Sequence, residues 1–235
     1  MKILVDQSLG LPDSCLEPHG AIVRKTPLKK GESLEDVIEK GKGKVFTKSL
    51  SLIKKDLQSE IDEFHKYFHE SEQLFYLYDS KVTDSRLIKR ISNWNFPNRK
   101  LYLVDGSSNR AFAIHLLKEL TNHPFEEVYR LSHLCTNQKF TISNDLKYQK
   151  SANYLRLKEG KQKIYHLLKG TTHTKITSGQ KPELIEKVLA TLQGNTFIIA
   201  SRGTVELPDT KFDFYRLKNE GLPISSDKVD IFIPI

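Results

Sequence analysis

The sequence predicts an α/β protein made of two α/β domains: an N-terminal one, residues 1–135, with a mainly parallel sheet flanked by helices, and a smaller, truncated, mixed-sheet C-terminal one, residues 136–235. Short apolar runs alternate with stretches of helical periodicity, which is the sequence sign of strands covered by helices. That alternation favours parallel pairing through right-handed crossovers. A length of 235 residues suits one large domain or two small ones, and the break in the pattern at Thr136-Asn137 places a boundary there.

Ile3 to Val5 reads as a strand ending at Asp6, and the turn-rich Gln7 to Pro12 follows. Ala21 to Thr26 is a second extended piece, stopped by Pro27. Ser33 and Asp36 resemble a capping box for a helix bearing Leu34, Val37 and Ile38, and Lys44 to Phe46 is a short strand. Between Ser51 and His69, Ile53, Leu57, Ile61, Phe64 and Phe68 recur at helical spacing as one buried stripe. A strand at Leu74 to Tyr78, a helix bearing Leu87, Ile88, Ile91 and Trp94, a strand at Leu101 to Val104 and a helix bearing Phe112, Leu116 and Leu120 come next. Pro124 opens a further helix. Beyond it the sequence predicts strands at Phe140 to Ile142 and Thr174 to Thr177, separated by a Lys-rich segment, Asp145 to Lys169, of mixed helical character. A helix from Pro182 to Leu192, a strand at Phe197 to Ala200, a short helix near Phe212 to Leu217 and a strand at Val229 to Ile233 complete the list.

Composition excludes several classes. Hydrophobic residues make up 38% of the chain, far above a disordered sequence. The longest apolar runs are of strand length and far short of the roughly 20 residues of a membrane span. Asp6 interrupts the first apolar run before it could form the core of a secretory signal, so a soluble, cytoplasmic protein is expected. Cys15 and Cys135 fit no CxxC or zinc spacing and read as buried thiols. The net charge of +8 comes from lysines spread along the chain without interleaved aromatics, which argues against a nucleic-acid partner.

Ligands in open α/β sheets settle outside the carboxyl ends of the strands. Four such ends carry small polar groups: Asp6-Gln7-Ser8, Thr47-Lys48-Ser49, Asp79 to Asp84, and Asp105-Gly106-Ser107-Ser108. They could line a hydroxyl-rich crevice, or cap the helices that follow them. His65 and His69 stand four apart on the long helix but lack the Glu of a zinc protease, so surface histidines are expected and no metal. Gly41-Lys42-Gly43-Lys44 lacks the spacing of a phosphate loop. No nucleophile elbow and no paired carboxylates point to catalysis.

The polar segments also resemble, in order, the motifs of the DegV family. Asp6 to Pro12 is similar to its D-S-T-A-D-L-P opening, and Val23 to Gly31, with Thr26-Pro27-Leu28 inside, to its V-P-L strand. Thr47 to Ser51 resembles T-S-Q-P-S, Ser80 to Asp84 resembles S-x-L-S-G, Leu103-Val104-Asp105 resembles V-V-D, and Asn144 to Tyr148 resembles D-L-x-Y-L. The resemblance runs over residues 1–170 and implies a bacterial-type lipid-binding protein of the EDD fold. Such a protein holds a long-chain fatty acid between its domains with the carboxylate on hydroxyls, has no catalysis and no cofactor of its own, and in some members presents the lipid to a fatty acid kinase subunit. On this mapping Thr47 and Ser80 are the headgroup ligands, with Thr83, Ser107 and Ser8 as further ligand-binding residues.

The departures are also specific. Ala152-Asn153-Tyr154 stands where the family has G-G-R, the C-terminal H-T-G-P-G is absent, and Asn109-Arg110-Ala111 puts a charge where a slim residue is usual. Asp79 replaces a serine and is expected to repel a fatty-acid anion. His173 is a candidate replacement for the missing histidine. The competing expectations are a diverged paralogue that has lost the lipid and acts as a protein or nucleic-acid interaction module, and a small enzyme acting on a phosphorylated metabolite.

Overall fold

The computed structural model describes residues 1–25, 57–80, 82–94, 96–135, 138–143, 165–172, 174–190, 197–201, 205, 212–218 and 228–234. Within them two sheets are formed. The first contains β1 (Lys2–Asp6), β2 (Ile22–Arg24), β3 (Gln73–Tyr78) and β4 (Lys100–Asp105), in the order β2-β1-β3-β4 with every pair parallel. The second contains β5 (Lys139–Ser143), β6 (Tyr165–Lys169), β7 (Thr174–Gly179), β8 (Phe197–Ser201), β9 (Phe212–Arg216) and β10 (Val229–Phe232), in the order β7-β6-β5-β10-β8-β9. It is mixed, because β8 and β9 run parallel and the other pairs antiparallel.

The first sheet is covered on both faces, as a parallel sheet requires. Successive residues alternate between those faces. Ile3, Val5, Phe75, Leu77, Tyr102 and Val104 join one core, while Leu4, Leu74 and Tyr76 join another. The second of these cores is closed by Ile61, Phe64 and Phe68 of α2 (Leu57–His69) and by Leu87 and Ile91 of α3 (Ser85–Ser92). The opposite face packs on α1 (Asp13–Leu16), α4 (Arg110–Glu119) and α5 (Phe125–Leu134). A third core lies on the outer face of the second sheet, where Leu184, Ile185 and Val188 of α6 (Lys181–Leu189) cover Ile142, Leu167, Ile199 and Ile231.

Helix α4 joins the two halves. Residues Arg110 to Leu117 are all buried, so this helix has no solvent face over its first two turns. Beside the predicted Phe112 and Leu116, the alanines at 111 and 113, Ile114 and Leu117 are buried too, so the helix is packed on every side there. One core therefore mixes Ile3, Val5, Leu77 and Val104 with Ile198, Ala200, Leu217 and Phe232 from the second sheet. Asn109 caps α4 by accepting from the Phe112 amide at 2.9 Å, and its side-chain amide donates to the carbonyls of Phe140 (2.9 Å) and Ile231 (3.3 Å) on paired strands β5 and β10.

Two elements differ from the sequence reading. Phe212 to Leu217, expected as a short helix, contains β9: Phe212 and Phe214 alternate with Asp213 and Tyr215, and the free edge of β8 supplies parallel hydrogen bonds. The last five residues of the Lys-rich segment form β6, which pairs antiparallel with β5 and turns Tyr165 and Leu167 into the third core. The predicted strand at Lys44 to Phe46, the capping box at Ser33 and the segments around Thr26, Asn144 and Ala152 lie outside the described residues. Cys15 and Cys135 are both buried and free, and burial raises both thiols, that of Cys15 to about 11. Among the described residues no helix is long and apolar enough to cross a membrane.

Because α4 belongs to both sheets, Ile114→Ala should destabilise the whole protein by about 2–5 kcal/mol, the usual range for truncating a fully buried Ile or Leu. Denaturant unfolding followed by Trp94 fluorescence, a probe of the first sheet, should coincide with far-UV circular dichroism before and after the substitution.

Candidate functional site

The order β2-β1-β3-β4 places a topological switch between β1 and β3, where the chain leaves the two strands in opposite directions. Their carboxyl ends, together with that of β4, present Asp6, Asp79 and Asp105 and the loops after them. This is the crevice in which open α/β sheets receive ligands.

Asp6 organises the switch point. Its buried carboxylate accepts from the Tyr76 hydroxyl (2.7 Å), the Asp79 amide (2.9 Å), the Thr83 hydroxyl (2.5 Å) and Arg24 (3.3 Å). Arg24 also reaches Glu60 of α2 at 2.8 Å and the Tyr76 hydroxyl at 3.1 Å. Burial pushes the Asp6 carboxyl up, and the Arg24 guanidinium and the three other donors oppose that push. Thr83 thus spends its hydroxyl proton on Asp6. It holds the loop after β3 against the end of β1.

The hydroxyls of Ser80 and Ser107, both expected as ligand residues, lie 2.9 Å apart. Ser80 is exposed at the mouth and Ser107 is buried below it. Asp105 fixes both loops, since its Oδ1 accepts from the amide of Ser107 (2.8 Å) and from that of Ser80 (3.4 Å). Ser8 lies in the short 3₁₀ turn after β1; it is 1% exposed, and its hydroxyl has no hydrogen-bond partner among the described residues. Thr47 and His173 lie outside the described residues. Of the other polar groups at the strand ends, Asp84 is a helix cap, accepting from the Arg86 amide at 2.8 Å.

The two charges that seemed out of place meet each other. Arg110 is fully buried at the start of α4, and its guanidinium stands 3.6 Å from the Asp79 carboxylate. It donates as well to the carbonyls of Leu9 (3.3 Å) and Ser107 (3.1 Å), so one side chain ties the loops after β1, β3 and β4. The repulsion expected from Asp79 is therefore offset within the protein. The backbone amide of Arg110 donates to Asp230 of β10 at 3.0 Å, and Asp230 also accepts from Thr141 (2.8 Å) and is paired with Lys228 (2.9 Å). Although burial opposes it, the Lys228 and Arg110 charges hold the Asp230 carboxyl below the usual range. Gly106 admits no larger residue without adjustment: a Cβ there would stand 3.1 to 3.3 Å from Leu9, Leu77 and Ala113.

Lys139, at the first position of β5, was not singled out by its sequence context. It is 4% exposed, and its ammonium lies 3.7 Å from the centroid of the Phe112 ring in the first turn of α4. Burial lowers it to about 8, with Cys135 and Asp105 acting weakly in the other direction. His65 and His69 do not converge on a point. Their rings stack 5.6 Å apart, His65 stacks on Trp94 at 4.1 Å, and Nδ1 of His69 is engaged by Arg99 at 3.0 Å. His65 is half-buried against this tryptophan rather than being a surface histidine.

Fold and crevice together define a two-sheet α/β protein with a polar crevice at the carboxyl edge of its parallel sheet. That architecture is the DegV fold. The chain is similar to a DegV lipid-binding protein from Thermotoga maritima at 14% identity and a TM-score of 0.58, with 99% of this chain and 98% of that one covered. It is similar to a DegV family protein from Thermus thermophilus, whose structure is described for fatty-acid binding, at 10% identity and 0.56, with 99% of each chain covered. A DegV family protein from Eubacterium eligens, loaded with heptadecanoic acid, matches at 13% identity and 0.55, with 98% of each covered. No family model and no curated protein sequence matches.

Arg110→Met should cost about 3–5 kcal/mol, because it takes the guanidinium away from the buried Asp79 carboxylate. Adding Asp79→Ser should return part of that loss, and a double-mutant cycle in urea measures the coupling. Lys139→Met tests the lysine by pH. The folded protein holds Lys139 at about 8 against 10.5 in the unfolded chain, so between those values the unfolded state binds more protons and wild-type stability rises with pH. The variant should be the more stable protein at pH 7, and denaturation midpoints should show the gap closing between pH 8 and 10.5.

Proposed function

We propose that this protein binds a fatty acid or similar amphiphilic carboxylate between its two domains, 1–135 and 136–235, with the carboxylate on the hydroxyls of Ser80 and Ser107 and on Thr47. The observation that carries this reading is the pair of hydroxyls 2.9 Å apart at the carboxyl ends of β3 and β4, beside the switch point. It lies in a fold whose similar structures are described with heptadecanoic, vaccenic and stearic acids. A carboxylate there would accept hydroxyl protons near the N-terminus of α4, where the helix dipole favours negative charge. In this reading Thr83 and Ser8 serve the site indirectly, Thr83 by holding the loop and Ser8 by packing beneath it. The protein is a carrier without catalysis, cytoplasmic, whose exposed end at Ser80 would present the carboxylate to a separate kinase subunit.

The test is native mass spectrometry of the purified protein, followed by solvent extraction of whatever leaves with it. A fatty acid at near one per chain supports the reading, and Thr47→Ala or Ser80→Ala should then weaken retention by on the order of 1.5 to 3 kcal/mol, the worth of one hydrogen bond to a charged group. An apo mass unchanged after incubation with saturated and unsaturated fatty acids would favour the diverged interaction module, with Arg110 filling the space of a lost lipid.

A further inference from the structure

Four cations are buried among the described residues, and three of them are compensated. Arg24 has Glu60 at 2.8 Å, Arg110 has Asp79 at 3.6 Å, and Lys228 has Asp230 at 2.9 Å. Lys139 has no carboxylate within salt-bridge distance among the described residues. Its ammonium lies over the Phe112 ring, 3.7 Å from the centroid, and the charge of Asp105, whose carboxylate accepts from the Ser80 and Ser107 amides, opposes the lowering of its pKa by burial. A ring face offsets part of the cost of burying a cation, and much less than an anion would. A buried ammonium with no carboxylate at salt-bridge distance is a poor structural choice and a good anion receptor.

We propose that Lys139 is the counter-charge for the carboxylate of the bound amphiphile, entering the anion site from β5 while Ser80 and Ser107 enter it from the parallel sheet. This rests on the lipid-binding reading and adds to it the residue that makes the site select an ionised headgroup. The second sheet then contributes more than a wall: it supplies the charge. An incoming carboxylate would offer the ammonium charge-assisted hydrogen bonds.

The experiment measures dissociation constants of hexadecanoic acid and its methyl ester, by isothermal titration, for the delipidated full chain and for Lys139→Met and Lys139→Arg. The wild type should prefer the acid by at least about tenfold; the Met variant should lose most of that preference while binding the ester as the wild type does, and the Arg variant should recover it. Equal ester binding shows that the variant is folded. An unchanged acid-to-ester ratio in the Met variant would overturn the role of Lys139 and leave lipid binding standing. A wild type that binds neither compound would remove the lipid reading, and this proposal with it. A second measurement needs no variant: in wild-type protein with ¹³C-labelled lysine, the titration midpoint of Lys139 should move up on adding the acid and stay in place on adding the ester. A midpoint indifferent to the acid would refute the contact directly.

Discussion

A buried guanidinium needs an anion and a set of acceptors, and Arg110 finds them only if three loops and two sheets are in register. Its side chain requires the carbonyls that follow β1 and β4 and the carboxylate that follows β3, while its amide requires Asp230 of the second sheet. The two most distant of these partners, Leu9 and Asp230, lie 101 and 120 positions from Arg110 in the chain, so one residue at the head of α4 checks the assembly of both sheets. The shape of the crevice is set by the same contacts, because the loops that hold Ser80 and Ser107 are the ones Arg110 ties down.

Much of this architecture was legible in the sequence. The strand ends at Asp6, Tyr78 and Asp105 were marked by apolar runs giving way to small polar residues, and the alternation with helical stripes indicated the parallel sheet. The ordered DegV-like segments pointed to the fold that the structural comparisons share. Less legible were elements whose conformation depends on distant partners. β9 reads equally well as a helix until β8 offers its edge. Helix α4 shows a single stripe until its alanines are recognised as contact positions on a second sheet. The Asp79 and Arg110 pair was visible as two anomalies, 31 positions apart, with nothing local to connect them. Lys139 had no signal at all, since a lysine opening a strand is ordinarily a solvated residue. The Arg24–Asp6–Glu60 network had a faint one, a charged residue within the short apolar strand β2.

The buried charges divide into two kinds. Arg24, Arg110 and Lys228 are closed by internal carboxylates and specify the structure, each at the cost of desolvating an ion pair. Lys139 is buried with no carboxylate at salt-bridge distance among the described residues, and its lowered pKa implies a charge that opposes folding at neutral pH. Uncompensated burial of this sort is what is expected where stability is traded for binding, because a site already neutralised by its own protein has little to offer an anion.

The position of β10 bears on how the protein is made. It follows the other nine strands of the described residues in sequence, yet it lies between β5 and β8 near the middle of the second sheet. Until it emerges from the ribosome, β5 and β8 each present an unpaired edge, one flank of α4 is bare, and the Arg110 amide has no Asp230 to receive it. A nascent chain at that stage carries two adhesive strand borders around an apolar gap, the form most exposed to mispairing with a neighbouring chain. Chaperone demand during synthesis should therefore concentrate in the interval between translation of β8 and of β10, although the finished protein hides every trace of that vulnerability.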